Sequence, residues 1–161
     1  RCNPVPLFPV SENDCREALK TRHPDLKEEE ISSLIWISGQ AIGKALEIIE
    51  NPSKSAAFKA AKGIEKGLCK GSELLSMLSL APLEEDKSFC RQSLLLFHRI
   101  LCYAIWAKAT GSKPLPPLAE KYSLNQLLNI EAVTTQVLRA NEQNANLKLL
   151  LTWYAANLNK S

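Results

Sequence analysis

Histidine, paired cysteine and glycine-rich loops are what this chain has least of, and each shortage closes a route to chemistry. Only two histidines occur in 161 residues, His23 and His98. They fall in different segments, and no Cys/His spacing suits a zinc site. No glycine-rich phosphate loop is present, and no group of residues forms a catalytic constellation. The five cysteines, Cys2, Cys15, Cys69, Cys90 and Cys102, are odd in number and include no CxxC pair. Four of them sit inside apolar helical patterns, as a small hydrophobe would, which fits a reducing cytoplasm. The longest uninterrupted apolar run, Ile100 to Ala107, is far short of the roughly 20 residues that cross a bilayer. The first residues, Arg1-Cys2-Asn3-Pro4, hold no apolar signal core. The expectation is a cytoplasmic protein with no membrane span, no metal, no cofactor and no enzymatic activity of its own.

What is present is an ordinary globular balance, 45% apolar and 23% charged, enough to build a core. The formal net charge of +3 is unevenly shared. Residues 1 to 54 carry seven Lys/Arg against nine Asp/Glu, a balance of −2, and residues 55 to 161 carry thirteen against eight, a balance of +5. The opening Arg1, with no initiator Met, reads as the start of a piece cut from a longer chain.

Helical periodicity governs nearly everything after the first ten residues. Residues 1 to 10, with three prolines and alternating Val5, Leu7 and Val10, suit a strand end or linker. Ser11 is an N-cap with acids behind it, predicting a helix over about 11 to 21. A second helix follows His23-Pro24-Asp25, with Glu28, Glu29 and Glu30 near its positive end, and stops near Gly39. A third spans about 42 to 50 and ends at Asn51-Pro52. The pattern then lengthens: about 55 to 69 with Gly71 as C-cap, 72 to 80 closed by Ala81-Pro82, and 84 to 108. Apolar residues cover most of the circumference of that last helix, which predicts that it is central. A Gly/Pro loop at 111 to 117 precedes helices at 118 to 139 and 144 to 158. No hairpin signal occurs in residues 55 to 161. The fold class is all-α in two units, 11 to 53 and 54 to 161.

Four features carry functional expectations. Lys44 opens the third helix behind the small-residue turn Ser38-Gly39-Gln40-Ala41-Ile42-Gly43, where one cation could face a phosphate or simply solvent. Lys59, Lys62, Lys66 and Lys70 are spaced three and four apart, so all four line one side of a helix. Such a stripe could lie against a phosphate backbone, releasing counterions, although no interleaved aromatics offer a stacking platform. Leu147, Leu149, Leu150, Leu151, Trp153, Tyr154 and Leu158 are more apolar residues than one narrow stripe needs. Some face of that helix must therefore meet another chain or the preceding helix. His98, on a mostly apolar helix, reads as a satisfied or half-exposed residue and not as a ligand.

The order of these elements resembles the bacterial clamp-loader delta-prime subunits of DNA polymerase III. The resemblance rests on Arg1-Cys2, on Leu7-Phe8-Pro9-Val10-Ser11, on Gly39-Gln40-Ala41-Ile42-Gly43-Lys44-Ala45-Leu46, and on Asn144-Ala145-Asn146 before the apolar terminal helix. Gln40 and Ala41 stand where the family has Gly and Ser, and Lys44 where an arginine is usual. The related gamma/tau subunit shares these motifs, but its glycine turn usually continues Arg-Asp-Ala-Leu. The resemblance implies a residual end of the ATPase domain at 1 to 10, a three-helix lid at 11 to 53, and a helical collar at 54 to 161. It implies Arg1 as an arginine finger reaching a neighbour's ATP, and Lys44 at a nucleotide-sensing position. Partner contacts would come through Leu147, Leu150, Trp153 and Tyr154. The implied partners are the gamma/tau and delta subunits and, through the complex, the sliding clamp and primed DNA. The alternative expectations are a stand-alone nucleic-acid-binding module using the lysine stripe and the equivalent piece of a gamma/tau subunit.

Overall fold

The computed structural model describes residues 10–143 and 145–158, and all regular structure among them is helical. The expectations for Arg1, Cys2 and residues 1 to 9 lie outside the described residues. The chain divides into two compact units, the first ending at Glu50 and the second beginning at Asn51.

The first unit is three short helices: α1 (Glu12–Arg22), α2 (Glu28–Ser38) and α3 (Ile42–Glu50). Ser11 caps α1, its hydroxyl accepting from the Asp14 amide at 3.2 Å. Glu12 and Asp14 in the first turn, with Lys20 and Arg22 in the last, follow the helix dipole. At the start of α2 the Glu30 carboxylate accepts from the Lys27 amide at 3.0 Å, half of a capping box. Helix α2 ends because Gly39 adopts φ 62°, a left-handed conformation that costs glycine little. Gln40 follows at φ 61°. Its carbonyl accepts from the Cys15 thiol at 3.2 Å, tying the turn back to α1. Gly43 has no such role: it lies within α3, and a Cβ there would meet nothing within 4 Å. Cys15, Leu19, Ile31, Leu34, Ile35, Ala45 and Ile48 form the small core.

The second unit contains α4 (Pro52–Lys70), α5 (Glu73–Leu80), a 3-10 turn (Ala81–Glu84), α6 (Lys87–Thr110), α7 (Pro117–Lys121), α8 (Leu124–Glu142) and α9 (Leu147–Leu158). Helix α4 begins three residues before the expected start. Asn51 is its N-cap, accepting from the amides of Ser53 and Lys54, and Pro52 occupies the first turn, where a missing N–H costs nothing. The proline that closes α3 also opens α4, which places the boundary at 50/51 and not 53/54. The single helix expected over 118 to 139 is two. Ser123 forms a reciprocal capping box with Gln126, so the chain restarts there instead of continuing through Tyr122.

Helix α6 is central, packing against α4, α7, α8 and the 3-10 turn. Its Leu94, Phe97, Ile100, Leu101, Ala104 and Ala107 are buried against α4's Ala57, Ala61, Ile64 and Leu68 and α8's Leu127, Ile130 and Val137. Where α4 meets α5, a Cβ on Gly67 would stand 3.3 Å from the carbonyl carbon and oxygen of Leu75. A side chain there would push the α5 backbone back by a few tenths of an ångström.

The last carbonyls of α4 are satisfied from far along the chain. Lys121 Nζ donates to Leu68 O at 3.0 Å and Cys69 O at 2.7 Å, and the Tyr122 hydroxyl donates to Leu68 O at 2.9 Å. A cation at a helix C-terminus also complements its dipole.

Candidate interaction surface

Five large apolar side chains of α5 and α9 remain in water. On α5, Leu74 is 65% exposed, Met77 51% and Leu78 58%; on α9, Leu149 is 70% and Trp153 44% exposed. Single exposed hydrophobes are ordinary, but these cluster on two helices that pack together. The cause lies in the sequence of α5, Glu-Leu-Leu-Ser-Met-Leu-Ser-Leu, whose apolar residues surround a helix of only eight residues. Its Ser76 and Leu80 are buried, so α4 and α9 use up part of its circumference and leave the rest facing out. On α9, Leu149 and Trp153 stand four residues apart and therefore one above the other. Thr152 beside them shares with Met77 a shallow dent also lined by Leu80, Leu151 and Ala155.

The terminal helix divides its apolar residues between core and surface. Leu151, Ala155 and Leu158 are buried, Leu147 and Leu150 are half-buried, and Trp153 faces out. Tyr154, expected on the partner surface, is instead wholly enclosed. Its hydroxyl lies 2.8 Å from Thr134 Oγ1, which itself donates to Ile130 O at 2.7 Å. The threonine proton is thereby committed, so the tyrosine is the donor of that pair. Burial pushes the Tyr154 phenol well above its usual value, which keeps it protonated and donating.

The lysine stripe is not four equal cations. Lys62 is largely buried and paired with Glu65, itself only 3% exposed, one turn along α4. Lys59, Lys66 and Lys70 remain exposed. Lys44 is exposed in the first turn of α3, just beyond the Gly39 turn.

His98, expected as a satisfied or half-exposed residue, is half-buried and lies in a polar cluster between α6 and α8. His98 on α6 places Nε2 2.9 Å from Glu131 Oε1 on α8, and Thr135 Oγ1 donates to the same oxygen at 2.8 Å. The Cys102 sulfur lies 3.9 Å from both imidazole nitrogens. Cys102 and Glu131 hold the imidazolium up to about 9 against the opposing effect of burial, and His98 with Thr135 holds Glu131 below the ordinary carboxylate value. At neutral pH the two helices are therefore joined by a charged pair. The His98/Cys102 spacing on one helix was visible in the sequence; the acid that completes the cluster, 33 residues further on, was not. Among the described residues no group of three His, Cys, Asp or Glu could hold a metal ion, and no helix is long and apolar enough to cross a membrane.

No protein family, curated protein or solved structure matches the chain.

Proposed function

We propose that this chain is a non-catalytic scaffold part of a DNA polymerase III clamp loader, of the delta-prime kind. In this reading it assembles with gamma/tau and delta subunits. ATP held by those neighbours drives opening of the sliding clamp and its loading onto primed DNA. The first unit is the lid and the second the collar, with Arg1 as a trans residue toward a neighbour's nucleotide and Lys44 at the sensor position. The observation that carries the reading is the apolar face of α5 and α9. Leu74, Met77, Leu149 and Trp153 are exposed on two helices that pack together, which suits a surface covered by a partner. Support also comes from the division into a three-helix unit and a larger helical one, and from the left-handed Gly39 turn that precedes α3 and its Lys44. The nucleic-acid alternative loses ground because Lys62 is engaged by Glu65, which breaks the stripe at its second member.

The test is co-elution of the purified chain with gamma/tau and delta subunits on size exclusion. A complex is expected, weakened about tenfold or more by Leu149→Glu or Trp153→Glu, since buried aromatic anchors dominate interface energies. Both positions are exposed, so the variants should keep their helical content. A chain that fails to join either subunit, or that joins them equally well with Trp153→Glu, refutes the reading.

A further inference from the structure

A groove runs between α4 and α5 in the second unit, away from Leu149 and Trp153. It is an open groove of about 330 Å³ lined by Gly63, Lys66, Gly67, Lys70, Leu75, Leu78 and Ser79. The two glycines set its depth. A Cβ at Gly67 would press on the α5 backbone at 3.3 Å, and one at Gly63 would touch Ser79 Cβ at 3.7 Å. Two small residues four apart thus let α5 settle closely against α4, so the floor of the groove is backbone and small side chains. The α5 side of that trough is aliphatic, through Leu75 and the largely exposed Leu78. The α4 side is cationic, through exposed Lys66 and Lys70, with exposed Lys59 two turns back along the same helix. Among the described residues none of these three lysines is engaged by an acid.

We propose that this groove docks an acidic amphipathic helix of a partner protein, seating its apolar side chains against Leu75 and Leu78 with carboxylates on Lys66 and Lys70. The volume is at the lower end of what a specific pocket offers, enough for a few side chains. The spacing argues for a helix as the occupant. Lys66 and Lys70 are four residues apart on α4, hence about 6 Å along its axis, the separation of two glutamates at i and i+4 on an incoming helix. One side of the trough is apolar and the other positive, so the complementary surface is apolar on one face with acids beside it. A nucleic acid fits less well. No aromatic residue lines the groove, so bases find no stacking platform, and phosphates over the lysines would leave Leu75 and Leu78 wet. The inference does not depend on the clamp-loader reading: it shares only Leu78 with the exposed face of α5 and α9, and it asks only what chemistry the groove takes.

The experiment titrates the full chain into a fluorescein-labelled helical peptide of about 18 residues, long enough to hold helix in water. Leucines stand at i, i+3, i+4 and i+7, with glutamates flanking them. Three comparators accompany it: a peptide of the same composition with scattered leucines, one with Lys in place of Glu, and single-stranded DNA. The acidic amphipathic peptide is expected to bind about tenfold tighter than any comparator. Lys66→Glu with Lys70→Glu should weaken it about tenfold, Leu78→Asp by a similar factor, and Lys113→Glu, which is not part of the groove lining, not at all. Equal binding of the scattered peptide, tighter binding of DNA, self-association of the chain through this groove, or indifference to Leu78→Asp each overturns the proposal. Loss of the loader complex with Trp153→Glu bears only on the assembly reading.

Discussion

The buried hydroxyl pair of Tyr154 and Thr134 makes an asymmetric prediction. Thr134 donates to Ile130 O at 2.7 Å and accepts from Tyr154, 2.8 Å away, with both side chains at 0% exposure. Tyr154→Phe deletes one donor and leaves Thr134 still hydrogen-bonded to Ile130, so the loss is that of a single neutral hydrogen bond, about 0.5–1.5 kcal/mol. Thr134→Val preserves shape but leaves the tyrosine hydroxyl enclosed without an acceptor, which costs about 1–3 kcal/mol. The double variant has no stranded polar group. It should therefore be more stable than Thr134→Val alone, with a coupling of about 1 kcal/mol between neighbours in contact. Urea titrations followed by far-UV circular dichroism measure all four corners of the cycle, with the two units' transitions fitted separately. Strict additivity, or a larger loss for Tyr154→Phe than for Thr134→Val, would refute the assignment of Tyr154 as the donor.

Stability of the second unit should fall with rising pH through the His98 pair. A pKa raised to about 9 from an unfolded value near 6.5 means the contribution is complete below about 6.5 and gone above about 9. With solvent screening at this half-buried site, a drop of about 1 kcal/mol is expected across that range. Comparison of the wild type with His98→Gln isolates it from thiol ionisation, and parallel pH profiles for the two would disprove it. In the first unit, two glycines four residues apart should respond oppositely to alanine. Gly39→Ala is expected to cost about 1–2 kcal/mol because φ is 62° there. Gly43→Ala should stabilise by about 0.5–1 kcal/mol, since it sits in α3 with open space around it. Thermal melts of the two variants that shift in the same direction would contradict this. Asn141 is wholly buried with neither side-chain polar atom hydrogen-bonded among the described residues; Asn141→Leu should raise the urea midpoint by about 1 kcal/mol equivalent, and a lowered midpoint would show that the amide has a partner.

Local signals in the sequence were legible wherever one residue decides the geometry. Ser11 capping α1, and left-handed Gly39 and Gly71 ending α2 and α4, are individual chemical facts that neighbours do not override. The all-α class and the central place of α6 followed from periodicity. The break at Tyr122-Ser123 was hidden because Leu118 and Leu127 keep an apolar rhythm across it, although Ser123 and Gln126 carried the box that restarts the helix. The interaction face was legible only in part. An excess of apolar residues on α9 announced that one side faced out, but which side depended on α8 offering Thr134 to Tyr154. The exposed stripe of α5 and the Glu131 partner of His98 needed tertiary neighbours, because contacts between distant segments leave no spacing to read.

The ammonium of Lys121 and the phenol of Tyr122 finish a helix that began at Pro52. Residues near the middle of the second unit thus serve as the stopper for its first element, so α4's last turn and the α7–α8 hinge should open together in one event. Amide exchange at Gly71, whose N–H reaches Leu68 O at 2.9 Å, would accordingly quicken on Lys121→Met, although Lys121 is 53 positions from Leu68 in the chain.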